Sequence, residues 1–164
     1  MLEFILILSE SQMKLKHLTT TPFQTKKLGE ILAKKFLKTK LKKTALVIGL
    51  EGNLGGGKTT FLQGLAKGLG IKKRILSPTF IIMKRFQVSG FRFQYFYHID
   101  CYRIQKPKEI LDLGFKEIIS NSRNIIAIEW AERIRKILPK DVIILKFKFI
   151  NKTTRKIIIK NNLS

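Results

Sequence analysis

Ala45-Leu-Val-Ile-Gly-Leu50, then Glu51, then Gly52-Asn-Leu-Gly-Gly-Gly-Lys58-Thr59, is the stretch on which the fold turns. The first six residues form a short, nearly unbroken apolar run, the habit of a strand buried on both faces of a parallel sheet. From Lys58 onward Phe61, Leu62, Leu65, Ala66 and Leu69 recur at helical spacing, and Gly70 stands where a C′ glycine belongs. Residues 45–70 therefore read as strand, glycine loop, helix.

The loop fits G-x-x-x-x-G-K-[ST] at every fixed position. Gly52, Gly55, Gly56 and Gly57 let the backbone curl so that successive N–H groups point inward at phosphate oxygens. The helix starting near Lys58 turns its N-terminal donors and its positive dipole end toward the same anion. Lys58 supplies a point charge for the β- and γ-phosphates, and Thr59 a hydroxyl ligand for Mg²⁺. A phosphate loop set between a buried strand and an amphipathic helix is expected to bind a nucleoside triphosphate.

Such a loop needs acidic partners at the same sheet edge, because Mg²⁺ prefers oxygen ligands and an attacking water must be positioned. Phe93-Gln-Tyr-Phe-Tyr-His-Ile-Asp100 and Ile125-Ile-Ala-Ile-Glu129 are apolar strands that each end in a carboxylate. If both run parallel to the phosphate-loop strand, their C-terminal ends meet at the nucleotide. Glu129 has the Walker B form and is the expected Mg²⁺ partner, with Thr59. Asp100 is expected to serve as metal ligand, second acceptor or water-positioning group. His98 reads as a packed strand residue, Cys101 as a small buried hydrophobe, and Trp130 as either a core aromatic or a neighbour of the nucleotide. Asn151-Lys152-Thr153-Thr154 shares two residues with a guanine-reading Asn-Lys-x-Asp but lacks the acid, so ATP is preferred over GTP.

Around this centre, Lys14 to Leu18 reads as a strand. Thr21-Pro22-Phe23-Gln24 has the form of a capping box, opening a helix whose apolar face is Leu28, Ile31, Leu32 and Phe36. Phe80 to Phe86 and Phe91 to Ile99 form a hairpin around Ser89-Gly90. Pro107 starts a helical stretch that Gly114 interrupts. Val142 to Ile150 and Arg155 to Lys160 make a second hairpin. The expected fold is α/β and P-loop NTPase-like, a mostly parallel sheet with helices on both faces and antiparallel hairpin additions. Residues 1–12 read as a poorly integrated extension, with Met13 a candidate second start, and residues 13–164 as one P-loop ATPase domain.

The chain has 164 residues, 45% hydrophobic, which suits one globular domain and is too apolar for a disordered basic tail. No apolar run approaches the roughly 18–20 residues of a membrane span, and Phe4 to Leu8 lacks the flanks of a signal peptide. One cysteine excludes an internal disulfide framework and a cysteine-rich metal site. A cytoplasmic protein is expected. The formal charge of +22 comes from 33 Lys+Arg against 11 Asp+Glu, with about three Lys for every Arg. Two readings stay open, surface drift toward AT-rich codons and contact with RNA.

Taken together, these motifs resemble the bacterial TsaE (YjeE) ATPases of tRNA threonylcarbamoyladenosine (t6A) biosynthesis. The resemblance rests on the phosphate loop continued into Thr60-Phe61 and on Ser77-Pro78-Thr79-Phe80, similar to a switch-like family segment. It rests also on His98-Ile-Asp100-Cys-Tyr102-Arg103, Glu109 to Gly114, Glu129-Trp130, Leu138-Pro139, and Thr25 to Gly29. It implies Gly55 to Thr60 as the ATP cradle, Thr59 and Glu129 as Mg²⁺ ligands, Asp100 needed for hydrolysis and Arg155 near the nucleotide. It further implies weak ATP hydrolysis stimulated on a TsaB–TsaD heterodimer, with tRNA met through that complex and no membrane. Asn53 stands where the family usually has Asp, and Gly56 where it usually has Ala. The competing readings are a small P-loop metabolite kinase and a nucleotide-switched RNA-binding module.

Overall fold

The computed structural model describes residues 5–9, 12–76 and 81–161. The segment Ser77-Pro78-Thr79-Phe80 lies outside the described residues. Eight strands form one sheet: β1 (Ile5–Ser9), β2 (Gln12–Thr19), β3 (Leu46–Glu51), β4 (Met83–Gln87), β5 (Tyr95–Asp100), β6 (Asn124–Glu129), β7 (Ile143–Phe149) and β8 (Arg155–Asn161). Their order across the sheet is β1-β2-β8-β7-β3-β6-β5-β4. The centre is parallel, β7 with β3, β3 with β6 and β6 with β5. Both flanks are antiparallel, through the expected hairpins β4–β5 and β7–β8 and through β2 beside β8. Within residues 1–12, expected to stand apart as an extension, Ile5–Ser9 pairs with β2 at the sheet edge.

Burial explains why β3 sits at the centre. Ile48 and Leu50 point into one core with Leu28, Phe36, Phe61, Leu62, Leu65 and Phe96. Val47 points into a second, with Ile99, Cys101, Ile110, Phe115, Ile126, Ile128 and Ile134. Helices α1 (Pro22–Lys38) and α2 (Lys58–Gly68) cover the first face. The short helices α3 (Lys108–Leu111) and α4 (Phe115–Ser120) and the 3-10 helix Ala131–Ile137 cover the second. Strands apolar on both sides are what this sandwich requires.

The first helix begins as its sequence predicts, with one change of partner. Thr21 is the N-cap, its Oγ1 accepts from Gln24 N at 3.2 Å, and Pro22 occupies the first turn. Gln24 Oε1 returns to Thr20 N, 2.7 Å, rather than to the cap residue's own N–H. The helices α1 and α2 then pack with their backbones almost touching. A Cβ on Gly64 would lie 1.9 Å from Lys26 O, and one on Gly29 would lie 2.3 Å from Phe61 O. The Thr25-x-x-Leu-Gly29 pattern is thereby explained by close approach, which only glycine permits. Among the described residues, no helix is long and apolar enough to cross a membrane.

Candidate nucleotide and metal site

The loop between β3 and α2 has the backbone that its glycines allow. Gly52, Gly55 and Gly57 hold φ of +128°, +73° and +96°. Left-handed angles like these are costly for any residue with a Cβ. Gly52 also lies so near β7 that a Cβ would meet Phe147 O at 2.3 Å. Gly56, by contrast, has no positive φ, and an added Cβ would sit 3.0 Å from Asn53 O, a small adjustment. Asn53 acts through its backbone: its carbonyl accepts from Gly56 N and from Lys58 Nζ, while the residue itself is exposed.

Lys58 is buried at the head of α2. Its ammonium donates to the carbonyls of Gly52 and Asn53 and lies 4.1 Å from the Trp130 ring centroid. Burial lowers its pKa from the ordinary 10.5, against the opposing pull of the Glu129, Glu132 and Asp100 carboxylates. The next residue, Thr59, donates its hydroxyl to Glu129 Oε2 at 3.2 Å. That contact joins the first turn of α2 to the C-terminal end of β6.

Strand register brings the second carboxylate alongside. Asp100 pairs with Glu129 across the parallel β5–β6 ladder, so the two expected carboxylates stand side by side at one sheet edge. Asp100 Oδ1 accepts from Tyr102 N at 2.9 Å, which orients the carboxyl at the strand end. Glu129 Oε1 lies 2.9 Å from His98 Nε2, with both side chains almost wholly buried. The role of His98 as the partner of Glu129 was not legible as chemistry. It is two residues before Asp100, so the strand period of two turns it to the same face as that carboxylate. Trp130 adopts φ +58°, the single positive-φ residue other than glycine among those described. That bend turns its ring back over Lys58 and against Tyr102, centroids 5.1 Å apart.

These groups surround a cleft of about 690 Å³. Every residue from Gly55 to Thr60 lines it, with Asp100, Glu129, Trp130 and Tyr102, whereas Gly52 lies at the foot of the loop and does not. Arg155, at the start of β8, donates from Nε to Gly55 O at 2.9 Å and so ties the second hairpin to the loop. Lys152 and Thr153 from the same hairpin also reach the cleft, as do Pro22 and Thr25 from α1, residues that the sequence did not assign to the nucleotide. Asn151 is occupied by its own turn, its Oδ1 accepting from Thr153 N and Thr154 N. Glu109 Oε1 accepts from the N–H groups of Lys106 and Gln105, which hold its carboxyl below the usual range. Cys101 is fully buried, its thiol pushed up to about 12 chiefly by desolvation and then by Asp100.

The donor set suits Mg²⁺. Thr59 and Glu129 offer hard oxygen atoms within hydrogen-bond distance of each other, and Mg²⁺ is commonly held by one or two protein oxygens, waters and substrate phosphate. Among the described residues there is no cluster of three or more His, Cys, Asp and Glu side chains able to cage a metal. The arrangement can cradle a polyphosphate with backbone N–H groups and one ammonium, and can hold a hydrated hard cation beside it.

Residues 19–157 match the family model described as threonylcarbamoyl adenosine biosynthesis protein TsaE. The chain is similar to the tRNA threonylcarbamoyladenosine biosynthesis protein TsaE of Bacillus subtilis, 37% identical over 128 residues, spanning 78% of this chain and 73% of that one. It is likewise similar to the protein of that name from Rickettsia felis, 36% identical over 133 residues, 80% of this chain and 71% of that one. Among solved structures, Bacillus subtilis YdiB superposes with a TM-score of 0.72 at 30% identity, covering 94% of this chain and 89% of the other.

Proposed function

This chain belongs to the TsaE family, and from that premise we propose that it binds and hydrolyses Mg-ATP to drive t6A formation at adenosine 37 of tRNAs reading codons that begin with A. It does so docked on a TsaB–TsaD heterodimer, which performs the transfer. The observation that carries the reading is the Thr59–Glu129 contact of 3.2 Å beside the register pair Asp100–Glu129. A hydroxyl and two carboxylates converge there at the mouth of a phosphate loop.

Each residue then has a part. The N–H groups from Gly55 to Thr60 receive phosphate oxygens, and Lys58 exchanges its carbonyl partners for the more negative β- and γ-oxygens. Thr59 and Glu129 hold Mg²⁺, directly or through water. When bound, the ion neutralises phosphate charge that builds up as the terminal P–O bond breaks. Asp100, fixed by Tyr102 N, orients the attacking water. His98 keeps the Glu129 carboxylate turned toward Thr59. Arg155 braces the loop through Gly55 O. ATP is favoured over GTP because Asn151 is used within its own turn and no acid follows to read a guanine edge.

The test is multiple-turnover t6A formation on tRNA with TsaB, TsaD and activated threonylcarbamoyl donor. Turnover is expected only with wild-type protein and ATP, and a single round or less with Lys58→Ala. Equal turnover with wild type, with the variant and without this protein would remove the proposal. A phosphorylated small-molecule acceptor in place of free phosphate would turn it toward the kinase reading.

A further inference from the structure

The strands β2, β8 and β7 lie side by side, and their paired residues share faces. Leu15, Leu145, Phe147, Ile157 and Ile159 pack on the core beneath α1 and α2. The opposite face therefore carries Lys16 from β2, Lys156 and Lys160 from β8, and Lys146 and Lys148 from β7. Lys148 is exposed and Lys16, Lys156 and Lys160 are half-buried, as expected of long stems lying on a sheet.

Three features separate this face from general surface charge. The three strands contain no acidic residue at all. Lys148 and Lys156 are direct cross-strand partners, an arrangement in which like charges repel and weaken the sheet. On α1, by contrast, Glu30 pairs with Lys34 and Lys67. Beside the lysine face opens a second cleft of about 350 Å³ to which Arg135, Lys140, Lys146 and Lys160 contribute. Its one acid, Glu51, is already held by Arg135 and Lys146. The result is a set of lysines around the buried Ile158, with roughly 7 Å between same-face residues along a strand and roughly 5 Å between strands.

We propose that this face docks the phosphodiester backbone of tRNA, an inference that rests on the t6A reading above. A set of lysines whose one neighbouring acid, Glu51, is paired with Arg135 and Lys146 matches a polyanion presenting phosphates in regular rows, and it reads no base sequence. An anionic bilayer would also require apolar side chains to insert, and among the side chains described on this face of β2, β8 and β7, Leu18 is the one large apolar residue that is exposed. The hairpin that carries Lys148 and Lys156 also delivers Lys152, Thr153 and Arg155 to the nucleotide cleft. RNA held on the sheet thus touches an element that braces the phosphate loop.

The experiment compares the full-length wild type with two triple variants of equal net charge. One is Lys148→Gln/Lys156→Gln/Lys160→Gln on the sheet face, and the other is Lys27→Gln/Lys38→Gln/Lys73→Gln on exposed sites elsewhere. Binding of a labelled tRNA transcript is followed by anisotropy across a KCl series, with phosphatidylserine vesicles as a second probe. The sheet triple is expected to bind tRNA at least tenfold more weakly, with the log–log salt slope reduced by about 2 to 3, one counterion for each lost phosphate contact. The control triple should stay within about twofold of wild type by the same measure. The sheet triple should also melt no lower than wild type, since it removes repulsion, and its ATP hydrolysis without RNA should be unchanged. Equal weakening by both triples, no weakening by either, or loss confined to vesicle binding would overturn the proposal. If wild type hydrolyses ATP and supports t6A turnover while the triples bind tRNA alike, only the docking face fails. If wild type does neither, the functional reading fails first.

Discussion

His98 Nε2 lies 2.9 Å from Glu129 Oε1, both side chains withdrawn from solvent, and the other oxygen of that carboxylate accepts from Thr59. The Glu129 carboxylate is therefore held at both ends, from the neighbouring strand and from the helix that follows the glycine loop. His98 Nδ1 is buried without a hydrogen-bond partner among the described residues, so the ring is held by Glu129 and by packing. Replacing His98 with Ala should cost about 1–3 kcal/mol of stability, because a buried carboxylate loses a donor. It should also lower kcat while leaving the ATP Kd largely unchanged. Gln at this position, able to donate to the same oxygen, should restore part of both. Chemical denaturation beside steady-state kinetics would check this.

Glu129→Gln is expected to retain nucleotide binding and lose hydrolysis, with kcat down by about 100-fold or more through the weakened cation site. Phosphate release at saturating ATP and titration with a fluorescent ATP analogue separate the two effects. Equal hydrolysis by wild type and variant would remove Glu129 from the mechanism.

Lys58→Ala should weaken ATP binding by roughly 10- to 100-fold, the value of a charged hydrogen bond to phosphate. The wild type carries a pH signature as well. Because burial lowers the Lys58 pKa from 10.5, the ammonium is lost at lower pH than in an unfolded chain. Affinity for ATP should therefore fall as pH rises through a midpoint below 10.5. The sign for the empty protein is opposite: the cost of burying the charge disappears over that interval, so this group's contribution to stability improves with rising pH. Calorimetric titration from pH 7 to 10 reads the first effect, and melting curves the second.

Gly64→Ala should destabilise the fold by about 2–3 kcal/mol, since overpacking must push α1 and α2 apart. The added Cβ meets backbone, Lys26 O at 1.9 Å, and not a side chain that could swing away. Urea denaturation measures the loss.

Cys101 should be inert to a disulfide reagent at pH 8 while the protein is folded. With its thiol pushed up to about 12, the reactive thiolate is on the order of one part in ten thousand. One thiol per chain should appear on unfolding, as the sequence contains one cysteine.

What the sequence determined by itself was the set of local features whose physics is local. The apolar run ahead of Gly52, the helical spacing after Lys58 and the Thr21 cap each depend on a few neighbouring residues, and β3, α2 and the start of α1 follow them. Glu129 and Asp100 were legible because each closes an apolar strand. That the two stand in register, with His98 on Glu129 and Arg155 on Gly55, was decided only by the parallel pairing of β5 with β6 and the docking of the β7–β8 hairpin. The same holds for the cationic face: 33 basic residues scattered along a chain carry no address, and strand register alone gathers Lys16, Lys146, Lys148, Lys156 and Lys160 on one side of β2, β8 and β7. Side-chain alternation specifies which residues share a face of one strand, but hydrogen bonding between distant strands selects which faces adjoin.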